Sequence, residues 1–269
     1  MNARFAVLLL ALATIPASSL QAAAGPRAGR GGRGAQAGDS PVALAKVPVA
    51  APDKITSLAG KNTTGNILRH SDDEGVVFAV EITSADGAHH DLIITNTGDV
   101  LSQEVTLAET PAAVQATIKS HTGTGKVADI DKLFDDVENT FQVTLTTAKG
   151  DTSFTVGESG TLESEDITLN EAPYNLVAKL KEQPATDKVK TIEKVFDGGE
   201  VSYDVTVTNK DGVDRDITFD ADGNLDSMEI ALTDAPKAVQ TTIATTLARN
   251  TLISVDEDID PGGNIYDVV

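Results

Sequence analysis

The residues best placed for chemistry are Asp220, Asp222 and Glu229, with Gly223 among them. A calcium loop of twelve residues sets oxygen ligands at alternate positions, glycine at the sixth and a carboxylate at the twelfth. With Gly223 as the sixth residue, Asp220 and Asp222 fall at positions three and five and Glu229 at twelve. Position one, however, is Thr218 rather than Asp, and the flanks read as strands instead of helices. The corresponding residues elsewhere are Thr95/Thr97 and Gly157/Ser159. A hairpin turn with solvated acids is the reading preferred, with weak calcium binding across Asp220–Glu229 left open. Asp256, Glu257, Asp258 and Asp260 form a second acidic group with the same two readings.

The other chemical candidates are weaker. His89-His90-Asp91 could supply a metal ligand or a general base, but it falls at a predicted hairpin turn, where adjacent residues point to opposite faces. His70 and His121 stand apart in the chain. Gly123-Thr124-Gly125-Lys126 has part of a phosphate loop, yet Ser120 replaces its first glycine and Val127 its Ser/Thr. There is no Gly-x-Ser-x-Gly elbow and no His-Glu-x-x-His. Carboxylates are plentiful, but spacing singles out no catalytic pair. No catalytic, cofactor-binding or metal-ligating residue is assigned, no cofactor is expected, and the chain is read as non-enzymatic.

The elements that must position these residues recur with a fixed period. Leu107-Ala108-Glu109-Thr110-Pro111 returns as Leu169 to Pro173 and as Leu232 to Pro236, with the prolines 62 and 63 residues apart. Each proline suits the first turn of a helix, and the acid two residues before it suits the positive helix start. Apolar pairs four apart follow: Val114/Ile118, Leu176/Leu180, Val239/Ile243, and Ala51/Ile55 after Pro48. A single apolar stripe predicts a short helix lying on another surface. Lys126 to Phe134 and Lys188 to Phe196 are read as first strands, with the weaker Leu252, Val255 and Ile259 as the last counterpart. Phe78-Val80-Ile82, Phe141-Val143-Leu145, Tyr203-Val205-Val207 and Tyr266-Val268 alternate with polar residues, the period of a half-buried strand. Turns follow at Asp86-Gly87, Lys149-Gly150 and Asp211-Gly212. Third strands carry Leu92/Ile94, Phe154/Val156 and Ile217/Phe219. A second glycine turn (Gly98, Gly160, Gly223) then opens fourth strands, whose apolar step of five, as from Leu162 to Ile167, predicts a bulge.

The expected fold is therefore α+β: tandem repeats of one helix plus a four-stranded antiparallel sheet. The repeats are placed at 48–110, 111–172 and 173–235, with a partial fourth at 236–269 that either caps a sheet edge or reflects truncation. Phe78, Phe141, Tyr203 and Tyr266 share one repeat position, Phe134 and Phe196 another, and Phe154 and Phe219 lie on third strands, so apart from Phe5 in the signal Tyr174 is the aromatic outside the expected core.

Residues 1–24 read as a secretory signal: Arg4, an apolar run from Phe5 to Ile15, and the small residues Ala22-Ala23-Ala24. Residues 25–47 read as a linker rich in Gly and Arg at its start. The 269-residue chain has a formal net charge of −20. Four of its bases but one acid precede residue 41, so the remainder carries −23. Such a body repels nucleic-acid phosphates and anionic membrane surfaces. The absence of Cys excludes disulfides, thiolate catalysis and a lipid-anchored signal.

Pro-x-x-Val-x-x-x-Ile, the Lys-Val-x-x-Ile strand, the aromatic-x-Val strand and the hairpin Phe219-Asp220-Ala221-Asp222-Gly223-Asn224-Leu225 together resemble the PepSY-like repeat family, related to the β-lactamase inhibitory protein fold. The resemblance spans roughly 48–269. It implies helix-plus-four-strand units, bacterial export to the periplasm or outside, and a role in binding or restraining a secreted peptidase or other hydrolase. The partner is then a secreted or envelope protein, with no membrane span in the mature chain. A structural or calcium-responsive acidic envelope protein is the alternative.

Overall fold

The proline-led stretches that apolar spacing predicts as helices are α1 (Ala50–Ala59), α2 (Ala112–His121), α3 (Tyr174–Glu182) and α4 (Lys237–Leu247). The computed structural model describes residues 40–48, 50–72, 75–85, 87–135, 138–182, 187–247, 252, 254–260 and 262–268. The expected export signal at 1–24, residues 25–39 of the expected linker, and Asp86 lie outside them. The chain divides into two compact units, 1–99 and 100–269.

In the first unit, β1 (Ser40–Pro41), β2 (Thr63–Asp72), β3 (Gly75–Thr83) and β4 (His89–Thr95) pair in that order, all antiparallel. Sequence reading names no strand before Phe78 in this stretch. β2 is hard to see because its alternation breaks: its register against β3 slips between Thr64 and Ile67, and Ile67 is its one core residue. Ala51 and Ile55 of α1 are buried, as are Phe78, Val80, Ile82, Leu92 and Ile94.

The second unit holds β5 (Val100–Glu104), β6 (Lys126–Leu133), β7 (Thr140–Thr147), β8 (Gly150–Gly157), β9 (Leu162–Asp166), β10 (Lys188–Asp197), β11 (Glu200–Thr208), β12 (Asp214–Asp220), β13 (Leu225–Glu229), β14 (Val255–Asp258) and β15 (Ile265–Val268). They follow one another in sequence order in one open antiparallel sheet. The expected α+β chain of tandem repeats, each with one helix and its own four-stranded antiparallel sheet, does not form. The fourth strand of each segment pairs with the first strand of the next: β5 with β6, β9 with β10, β13 with β14. An equivalent amide bond closes each join, from Val105 to Ile130, Ile167 to Ile192 and Ile230 to Val255. Among the described residues the chain is mostly antiparallel sheet, fifteen strands with four helices.

The cores explain why the segments cannot separate. Val114 and Ile118 of α2 pack with Phe141, Val143, Phe154 and Val156. Leu162, at the start of β9, joins that core, whereas Ile167, just past its end, packs under α3 with Leu176, Tyr203, Val205 and Phe219. Val105 and Leu107 sit under α2 in the same way, and Ile230 and Leu232 under α4. The apolar step of five thus feeds two cores from one strand. A register slip accompanies it, between Thr155 and Val156 and between Thr218 and Phe219. Isolated sheets would strip each helix of part of its apolar cover.

Three local expectations change. Glu109 and Glu171, two of the acids before the prolines, are held by residues on their N-terminal side rather than at the helix start. Glu109 accepts from the amide (2.8 Å) and hydroxyl (2.7 Å) of Thr106, and Glu171 from those of Thr168 at the same distances. These bonds hold the carboxyl of Glu171 below the usual range. Pro111 is the N-cap of α2 rather than part of its first turn. Phe134, expected in the core, is 36% exposed and lies under the Lys132 ammonium, 5.0 Å from its ring centre. Lys194 stands over Phe196 likewise.

Candidate functional site

Alternation in the strands of the second unit decides which side chains are left outward. In β11, Tyr203, Val205 and Val207 turn toward α3, so Ser202, Asp204, Thr206 and Thr208 point to the other face. In β12, Ile217 and Phe219 go inward and Asp216 and Thr218 outward. All three helices of this unit give their apolar residues to the same side. The outward face carries a row of carboxylates in register. Asp166 of β9 is directly opposite Glu193 of β10, which is opposite Asp204 of β11. Asp216 stands two pairs along, on the same face, opposite Thr206. Glu229 of β13 is opposite Asp256 of β14, which is opposite Asp267 of β15.

Like charges directly across a strand pair repel, and hydroxyl groups offset part of that here. Thr218 donates to Asp204 (2.9 Å) and Thr206 to Asp216 (2.8 Å). Asp166 accepts from the amide (2.6 Å) and hydroxyl (2.7 Å) of Ser153. Burial raises the carboxyl of Glu193 above its usual range, opposed by a bond from Ser164 and reinforced by Asp166 and Asp204. Burial also raises Asp204, opposed by Thr218 and reinforced by Asp216. A row of this kind binds protons and attracts cationic groups.

The residues nominated for chemistry are not brought together. The Asp220 carboxylate accepts from the amides of Asp222 (2.9 Å) and Asn224 (2.8 Å) and the side chain of Asn224 (2.9 Å), which holds its pKa down. It therefore builds the turn. Glu229 follows Met228, which pairs with Ile217, so its neighbour on β12 is Asp216, four residues from Asp220 and so roughly 13 Å from it. Asp256 and Asp258 lie on β14, while Asp260 accepts from the Gly262 amide in a turn. His89 and His90 are on β4; His89 meets Glu81 at 2.8 Å and Thr83 at 3.2 Å. His70 is on β2, and His121 ends α2 with its ring against Phe154. Gly123 to Gly125 form the turn between α2 and β6, where the Gly125 amide bonds to Thr122.

The outward row is not visible from turns and spacing along the chain. The signal was present in the alternation: Asp204 lies between Tyr203 and Val205, and Glu193 follows Ile192. Pairing these acids across strands needs the register, which the bulges in β10 and β13 shift.

No family model and no curated protein sequence matches the chain. Solved structures similar to it include a Bacteroides thetaiotaomicron protein provisionally described as calcium-regulated and periplasmic. It is 19% identical, with a TM-score of 0.32, over 48% of this chain and 97% of that one. A DUF2874 family protein from Bacteroides ovatus is 11% identical, TM-score 0.32, over 43% of this chain and 83% of that one. A Bacteroides vulgatus protein of the DUF2874 family, provisionally described as periplasmic, is 16% identical, TM-score 0.30, over 48% and 97%.

Proposed function

We propose that the chain is an exported, non-enzymatic, PepSY-like binding module that holds a secreted or envelope protein against the outward acidic face of its second unit. The observation that carries this reading is the carboxylate row Asp166–Glu193–Asp204, continued by Asp216, Glu229 and Asp256, on the face opposite the one to which α2, α3 and α4 give their buried apolar side chains. A surface of that charge selects a partner with a basic patch and speeds encounter with it. Restraint of a secreted peptidase or other hydrolase is the role that the family resemblance adds. Export rests on the signal pattern of residues 1–24. No helix among the described residues is long and apolar enough to cross a membrane. The calcium-responsive alternative draws on the same acidity; in it the Asp220 carboxylate already accepts three hydrogen bonds within its own turn.

Immobilised mature protein exposed to an envelope fraction is expected to retain a saturable protein partner at low salt. It should release that partner at about 1 M salt, where the Debye length is roughly 3 Å. Recovery of no saturable partner would overturn the reading.

A further inference from the structure

The three joins between segments differ in charge. At β5–β6, Glu104 faces Asp131, and the next pair is Gln103 with Lys132. At β9–β10, Asp166 faces Glu193, and the next pair is Glu165 with Lys194, an ion pair at 3.8 Å. Each of these joins therefore sets a lysine beside its opposed acids. At β13–β14 the acid pair is Glu229 with Asp256, and the next pair is Met228 with Glu257. Glu257 thus takes the place of Lys132 and Lys194. Its carboxylate accepts from the Tyr266 hydroxyl (2.6 Å) and the Asn264 amide (2.8 Å).

We propose that the β13–β14 join is a proton-sensitive clasp, which tightens as pH falls into the carboxylate range and opens locally as pH rises out of it. The groups around it are nearly all acids. β12 contributes Asp216 and Arg215, β13 Asp226 and Glu229, β14 Asp256, Glu257 and Asp258, and β15 Asp267 and Tyr266. Arg215 is the base that bears on Glu229, and it is also 3.6 Å from Asp187. On α4, which packs over Val255, Lys237 bonds to Gln240 at the helix start. Three residue pairs hold each of the three joins, but β14 is four residues long, against eight for β6 and ten for β10.

The ionisation of the cluster agrees in direction. Burial raises the Glu229 carboxyl, reinforced by Asp256 and Asp216. Burial raises Asp258 as well, reinforced by Asp267, Asp226 and Asp256. An acid whose pKa is higher folded than unfolded makes the folded state bind more protons between the two values. Stability at the join is then greatest below the unfolded range of about 4 and is lost as pH rises through the raised values.

Hydrogen exchange of the full chain, corrected for intrinsic rates, tests this. The amides of Ile230 and Ile259 bridge β13 and β14, to Val255 and Asp226. Their protection should rise at least about tenfold between about pH 7.5 and pH 4, while that of Val105, which bridges β5 and β6, changes less. The double variant Glu229→Gln/Asp256→Asn should raise their protection at neutral pH and flatten the dependence. Glu257→Lys, which restores the lysine of the other joins, should also raise it at neutral pH. Equal protection of Ile230 and Ile259 at both pH values would overturn the clasp, as would an unaltered pH dependence in the double variant.

Discussion

Phe219→Ala should cost about 3–5 kcal/mol and lower the melting temperature by roughly 10 °C. Phe219 is 1% exposed, lies directly opposite Tyr203 on β11, and packs in the core with Leu176 and Leu225. Those neighbours come from three different elements, so the void left by the ring cannot be closed by one side chain shifting. Phe134 supplies the contrast. It is partly exposed and partnered by Lys132, so Phe134→Ala should cost about 1 kcal/mol or less. Urea melts of both variants check the pair. Similar losses for the two would show that the core under α3 is not packed as described.

Gly223→Ala should cost about 3 kcal/mol or more. Two effects add. The backbone at Gly223 has φ +79°, which costs a residue with a Cβ about 1–2 kcal/mol. A Cβ there would also lie 2.5 Å from the backbone nitrogen of Leu176, an atom held by α3 and unable to retreat. Asn175 ties the helix to the same turn through the Asp222 carbonyl at 3.1 Å. Gly212→Ala is the control. Its φ is +81°, but a Cβ there would meet nothing within 4 Å, so the backbone cost of about 1–2 kcal/mol stands alone. Equal destabilisation of the two variants would mean that α3 does not rest on the Gly223 turn.

Several elements were legible in the sequence because local physics decides them. The proline-led apolar pairs of α2, α3 and α4 and the alternation in β7 and β11 follow from periods of 3.6 and 2. The glycine turns at Gly160 and Gly223 carry positive φ, as hairpins of this kind require. What was not legible is non-local. Ile167 and Leu162 look like members of one strand of one repeat, yet they serve different cores. Nothing in a strand's own pattern says which edge it pairs with, so a period of four strands reads equally as separate sheets or as one continuous sheet. Charge misled in the same way. Asp220 draws attention beside a glycine, but its oxygens are occupied by the turn, while Glu193 and Asp204, unremarkable in the chain, face one another across strands.

The proposal that the outward acidic face holds a basic partner is tested most directly by titrating the retained partner against the triple variant Glu193→Gln/Asp204→Asn/Asp216→Asn. These residues point away from the core under α3, and neutralising opposed acids removes cross-strand repulsion, so the variant should fold at least as stably as the native chain. The account predicts affinity reduced at least about tenfold at low salt and a shallower salt dependence. A variant that binds its partner as tightly as the native protein, with the same salt dependence, would contradict it.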